Sequence, residues 1–255
     1  MSIPLARAII LAAGRGSRLR PLTDHTPKPL VRAAGRPLIG WGLALLRAHG
    51  IQDVVINVHH LREQIVNELG DGSTFGMRIR YSVEEELLDT GGGIRQAAEL
   101  FGVGPDAEDG PPLLVLNADV VTDIALGQLL AAHRNNPGGI TLVLRDDPRA
   151  ASYGLFGVDE KMRIRRFLGA GAPAKGLREY MFASVQVLDP QLIRYMPPSG
   201  PFSTMHGIYP ELFQKGVSFQ GFTHKGRWYT SDTVEDLKRL EAAVAASGGL
   251  EFAPD

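Results

Sequence analysis

A short apolar run that opens into a cationic, glycine-bearing loop limits this chain more than any other feature. Ala8 to Ala13 is continuously apolar, the pattern of a parallel strand buried on both faces. It runs into Gly14-Arg15-Gly16-Ser17-Arg18-Leu19-Arg20. Gly14 and Gly16 can take positive φ and bring backbone N–H groups close to an anion, where a Cβ would obstruct. Arg15, Arg18 and Arg20 add forked donors suited to phosphate oxygens. Lys28 is a point charge on a stretch stiffened by Pro27 and Pro29. The spacing is neither Gly-x-Gly-x-x-Gly, since Leu19 stands in the way, nor a Walker loop ending in Gly-Lys-Ser/Thr. On chemistry alone it reads as a polyphosphate cradle at a strand end, with a plain strand-to-helix turn as the alternative.

Downstream, apolar and amphipathic segments alternate. Helices are predicted over Pro37–His49, Leu61–Leu69, Gly91–Phe101 and Ile124–His133. Strands are predicted over Asp53–Val58, Met77–Ser82, Leu113–Asn117 and Ile140–Leu144. That βα order implies an α/β protein with a Rossmann-like, doubly wound, mostly parallel sheet and ligands at the strands' carboxyl ends. Beyond residue 150 the rhythm becomes β-rich. A hairpin of Gly154–Val158 and Arg163–Phe167 precedes a Gly/Ala/Pro-rich loop at Gly169–Lys175. A strand at Tyr180–Leu188, a helix over Ser203–Gln214 and a terminal helix over Asp232–Ala246 follow, with a frayed tail after Gly248. Without an internal repeat or linker, residues 1–255 read as one domain. Residues 1–150 form the half whose loop would hold a phosphate-bearing ligand such as a nucleotide, and residues 151–255 a second, β-rich half.

The 255 residues can bury a full core. A net charge of -1 speaks against a broad nucleic-acid or acidic-membrane surface. The absence of cysteine rules out disulfides and thiolate-held metals. No apolar run approaches the roughly 20 residues of a membrane span, and the N-terminus leads straight into a core strand. No membrane association or signal peptide is therefore expected, and cytoplasm is the expected location.

Val115-Leu116-Asn117-Ala118-Asp119 delivers a carboxylate to the end of a buried strand. That suits Mg²⁺, a hard cation taking one or two carboxylates plus phosphate oxygens; a turn or cap role is the alternative for Asp119. Asp123 reads as a cap for the helix after it. His59 and His60 lack partners at metal spacing and read as solvent-facing.

The loop and its Thr26-Pro27-Lys28-Pro29-Leu30 sequel resemble the signature of the sugar-1-phosphate nucleotidyltransferases, which have a GT-A-like fold. Asp89-Thr90-Gly91-Gly92-Gly93-Ile94 is similar to the bacterial N-acetylmuramate-1-phosphate uridylyltransferases, a likeness carried by residues 8–124. The resemblance implies NDP-sugar and pyrophosphate made from an NTP, UTP foremost, and a sugar 1-phosphate, with Mg²⁺ as cofactor. It assigns catalysis to Arg18, Lys28 and Asp119. It assigns nucleotide binding to Leu11, Ala12, Ala13, Gly14, Gly16, Ser17, Arg18, Glu85, Thr90, Gly91, Gly92 and Asn117. Sugar-phosphate contacts fall to Lys28, Asn117, Ser184 and Arg166. A monomer or small homo-oligomer is expected.

One motif departs from the family. The late Gly-x-Trp-x-Asp-x-Gly-Thr pattern here reads Gly226-Arg227-Trp228-Tyr229-Thr230-Ser231-Asp232-Thr233, with Thr230 in the aspartate's place. Two residues along an extended segment share a face. Asp232 therefore either reaches the metal or caps the terminal helix. That substitution keeps a rival open, a non-catalytic nucleotide-sugar-binding regulator. Mannose 1-phosphate, glucose 1-phosphate and phosphocholine are alternative acceptors.

Overall fold

The computed structural model describes residues 6–108, 110–148, 154–173 and 175–246. In chain order the first half carries β1 (Arg7–Leu11), β2 (Arg32–Ala33), β3 (Arg36–Pro37), α1 (Leu38–Ala48), β4 (Asp53–Val58), α2 (Arg62–Leu69), β5 (Arg78–Val83), α3 (Asp89–Glu99), β6 (Leu113–Asn117), β7 (Val120–Thr122), α4 (Leu126–His133) and β8 (Ile140–Arg145). The second half carries β9 (Phe156–Val158), β10 (Ile164–Phe167), β11 (Ala170–Gly171), β12 (Arg178–Leu188), α5 (Tyr209–Gln214), β13 (Phe219–Thr223), β14 (Trp228–Thr230) and α6 (Val234–Ala246).

Four strands in the order β5-β4-β1-β6 run parallel, with Ile10 beside Ile56 on one flank and Leu116 on the other. The sheet is buried on both faces because successive side chains alternate. Ala8 and Ile10 enter one core, while Ile9 enters the other. Past β6 the sheet turns antiparallel. The long β12 pairs with β6, β8 and β9, and β13 lies parallel to β8. The result is a mixed, Rossmann-like sheet whose parallel centre places the carboxyl ends of β1 and β6 side by side.

Helix α1 starts behind Pro37, whose fixed φ suits a helix start. A smaller apolar cluster of Leu19, Leu38, Trp41, Val121, Leu237 and Leu240 ties the glycine loop, α1, β7 and α6 together. β14 pairs antiparallel with β7, setting Thr230 opposite Val120.

Several boundaries differ from the sequence reading. Ser203–Gln214 is a π-helical turn at Thr204–Ile208 followed by α5. The Gly169–Lys175 loop includes β11, which pairs with β10. The terminal helix begins at Val234, and a Thr233–Asp236 capping box closes its first turn, with 3.1 Å from the Asp236 N–H to Thr233 Oγ1. The tail after Gly248 lies outside the described residues. Among the described residues no helix is long and apolar enough to cross a membrane.

Candidate active site

The loop after β1 bends at Gly16, whose φ is +63° and whose Cβ position would sit 2.9 Å from the Lys28 Cβ. Glycine is required there, by conformation and by the approach of lysine. Gly14 is different. Its φ is not positive, and open space lies where its Cβ would be. Thr23 Oγ1 donates to the Gly16 carbonyl at 2.9 Å and pins the turn.

The β7–β14 ribbon carries the second half of the site. Asp119 lies between β6 and β7, and Asp232 follows β14, so pairing of the two strands draws the carboxylates together. Ser231 Oγ donates to the Asp119 carbonyl at 3.1 Å and closes the ribbon's end. The Lys28 ammonium donates to Asp119 Oδ2 and, at 2.8 Å, to Asp232 Oδ1. Arg18 donates to that same Asp232 oxygen at 2.8 Å. Burial pulls the Lys28 pKa down, but the charges and hydrogen bonds of Asp119 and Asp232 outweigh it and hold the ammonium above its ordinary value. Asp232 is no helix cap, because Thr233 takes that place. Thr230 is buried with its Oγ1 lacking a hydrogen-bond partner among the described residues.

A cavity of ≈ 480 Å³ opens beside this cluster. Leu11 to Gly14, Lys28 and Pro29 form one wall, and Asn117 to Asp119 another. Asn57, Glu84, Leu87, Asp89, Thr90 and Pro201 complete it. Sequence reasoning missed Asn57 and Glu84. Glu84 is 1% exposed; it accepts from Asn57 Nδ2 at 2.7 Å and from the Leu88 N–H at 2.9 Å. Asn57 Oδ1 in turn accepts from the Ala12 N–H at 2.6 Å. A buried polar bridge thus joins the glycine loop to the segment before α3. The signal was available: a lone asparagine inside the apolar run of β4, where a buried amide needs partners.

Glu85, the residue singled out from sequence, points elsewhere. It pairs with Arg62 at 2.9 Å and does not line the cavity. Gly91 and Gly92 serve protein packing. A Cβ on Gly91 would meet the Phe202 ring at 2.4 Å, and both glycine N–H groups donate to the Phe202 carbonyl. Their absent side chains let the Gly200–Phe202 segment settle over the start of α3. Thr90 holds the same segment, its Oγ1 accepting from the Thr204 N–H at 2.9 Å.

The remaining candidates scatter. Gly16, Ser17 and Arg18 flank the cavity from the loop without lining it. Ser184 sits at φ +59° in a bulge of β12, a conformation that favours glycine, and Arg166 lies in β10 opposite Gly157 and Gly171. Neither lines the cavity. Asp123 is not a cap either; it accepts from the Arg227 N–H at 2.7 Å and holds the turn before β14. His59 and His60 are half-buried, with ring nitrogens 2.9 Å from the Glu84 carbonyl and 3.4 Å from the Thr23 carbonyl.

Fold and site together define an α/β protein with a glycine-bearing, cationic loop, a lysine and two carboxylates gathered beside the carboxyl ends of parallel strands. Residues 7–242 match the family model described as nucleotidyl transferase. A relative from Neisseria meningitidis serogroup B, N-acetylmuramate alpha-1-phosphate uridylyltransferase, is 38% identical over 94% of this chain and 99% of its own. Mannose-1-phosphate guanylyltransferase of Mycobacterium tuberculosis is 33% identical over 92% of this chain, which spans 63% of that protein. The structure of HddC from Yersinia pseudotuberculosis complexed with GMP-PN shares the fold, with a TM-score of 0.74 at 18% identity over 93% of this chain and 98% of that one. The chain belongs to the nucleotidyl transferase family.

Proposed function

We propose that this nucleotidyltransferase joins an NTP, UTP foremost, to a sugar 1-phosphate of the N-acetylmuramate 1-phosphate type, releasing pyrophosphate. The observation that carries the reading is the meeting of Lys28, Asp119 and Asp232 beside the glycine loop and the cavity. The sugar-phosphate oxygen, already anionic, attacks the α-phosphorus in line, and pyrophosphate departs. No protein nucleophile is needed. Lys28 and Arg18 offset the charge that gathers on the phosphates, and the loop N–H groups align them.

Asp119 and Asp232 would hold Mg²⁺. The donor set fits, because two carboxylate oxygens already converge on one cationic atom, as a hard divalent ion that keeps phosphate oxygens requires. Bound there, the ion would supply Lewis-acid neutralisation of phosphate charge. In this reading Asp232 replaces the carboxylate that Thr230 lacks. Asn117, on the cavity wall, would serve nucleotide and sugar phosphate alike, while Ser184 and Arg166 lie off that wall. The 38% identity to the uridylyltransferase, over nearly the whole of both chains, supports the choice of substrates.

Pyrophosphate release tests it. Purified protein with Mg²⁺, each common NTP and a panel of sugar 1-phosphates should respond most strongly to UTP with N-acetylmuramate 1-phosphate. Silence across the panel, with nucleotide binding retained in thermal shifts, would replace the enzyme by a nucleotide-sugar-binding regulator. Thr230 in the place of the family's aspartate, its Oγ1 buried and without a hydrogen-bond partner among the described residues, is the observation that favours that second reading.

A further inference from the structure

Behind the glycine loop, burial is inverted at two neighbouring residues. Leu22 is 49% exposed, whereas Thr23 beside it is 1% exposed. Burial of apolar area alone would favour the opposite order, so a specific contact holds the threonine inward. Its hydroxyl donates to the Gly16 carbonyl at 2.9 Å, and the Leu19 N–H donates to the same oxygen at 2.9 Å. Both lone pairs of that carbonyl are then committed. Packing adds to the hold. A Cβ on Gly16 would meet Thr23 Cγ2 at 3.0 Å and Lys28 Cβ at 2.9 Å, so the glycine backbone lies against both side chains. The threonine's own segment is fastened from α2, where Gln64 Nε2 donates to the His25 carbonyl at 3.0 Å. Thr23 does not line the cavity.

We propose that Thr23 is a positioning residue for the glycine loop: it acts through the Gly16 carbonyl, fixing the loop's turn against Lys28. Glycine has wide backbone freedom, so a loop that turns on Gly16 needs an outside restraint to keep its N–H groups in one array. A restraint present before the ligand arrives strengthens binding, because the loop no longer has to be ordered at that moment. The inference rests on the reading of this loop as a nucleotide site.

Two substitutions separate positioning from space-filling. Thr23→Val keeps the shape of the side chain and removes its donor; Thr23→Ser keeps the donor and loses a methyl. The full-length protein is titrated calorimetrically with UTP and Mg²⁺, without acceptor, and circular dichroism checks that each variant is folded. Thr23→Ser should bind like wild type, while Thr23→Val should bind about tenfold more weakly, the scale of one lost hydrogen bond. The KM for UTP should rise by the same factor in Thr23→Val, with the KM for the sugar 1-phosphate unchanged. Weak binding in Thr23→Ser beside normal binding in Thr23→Val would show a residue that only fills space, and overturns the proposal. Equal affinities in all three proteins overturn it as well, and leave the nucleotide reading standing. Should Thr23→Val not fold, Thr23→Ala takes its place against Thr23→Ser, from which it differs by the hydroxyl alone; equal affinities in that pair overturn the proposal. Wild type that binds no nucleotide overturns the reading of the loop and the inference together.

Discussion

Residues 11–119 supply fourteen of the fifteen residues around the large cavity, and the second half supplies Pro201. The first half is prebuilt: its polar groups hold one another through Ala12, Asn57, Glu84 and Leu88. The second half arrives by long-range contacts, Asp232 through the β7–β14 ribbon and Gly200–Phe202 through the glycines of α3. The contrast teaches that one half builds most of the cavity wall from its own contacts while the other completes it through contacts far apart in sequence. Substitutions in the two halves should therefore fail in different ways.

The largest effect is expected where the halves meet. Lys28→Ala and Asp119→Ala should each lower turnover by about 10²–10³-fold or more, as the loss of a preorganised charge does. Each variant should still fold, with a melting temperature lowered by the uncompensated charge it leaves, and full activity in either would break the comparison at its centre. Next comes Glu84→Gln, which leaves one amide nitrogen unable to accept from the Leu88 N–H. Steady-state kinetics should show the KM for nucleotide rising about tenfold with kcat largely spared, from about 1.4 kcal/mol of binding energy. A loss confined to kcat would mean that the bridge serves chemistry and not placement.

Smaller effects are expected in the second half. Thr230→Val removes a buried hydroxyl that lacks a partner among the described residues, so denaturant melts should show equal or slightly greater stability, by about 0.5–1 kcal/mol. Activity should remain within about twofold, since Asp232 and not Thr230 faces Lys28. The smallest effect is acid sensitivity at His224. Burial lowers its pKa, so the unfolded chain takes up a proton that the folded chain refuses. Stability is present above the ordinary histidine value of about 6.5 and falls as pH drops through the lower folded value. Melting temperatures from pH 8 to 5 should show the slope, and His224→Gln should flatten it.

Much of the first half was legible because its signals are local. Apolar runs of β1, β4 and β6 declare buried strands, and Gly16 in the loop declares the tight turn against which Lys28 packs. What stayed hidden depends on contacts far apart in sequence. Nothing near Asp232 says that β14 pairs with β7, so the sequence favours a helix cap there, a role that the fold gives to Thr233 instead. Glu84 was passed over for Glu85 because burial of one member in a run of three glutamates is decided by the neighbouring Asn57. The resemblance gives Gly91 and Gly92 to the nucleotide, since no local pattern announces their packing against Phe202.

Those glycines carry one more consequence. Three successive glycines in a helix's first turn weaken it by about 1 kcal/mol each relative to alanine, so α3 does not hold its opening turn by its own propensity. Phe202, Asn57 and Glu84 hold it from outside. In the language of amide hydrogen exchange, Gly91 to Gly93 should open by local fluctuation well before the strands of the sheet do. Their protection should rise and fall with the docking of Gly200–Phe202, making this turn an internal reporter of whether the second half has closed upon the first.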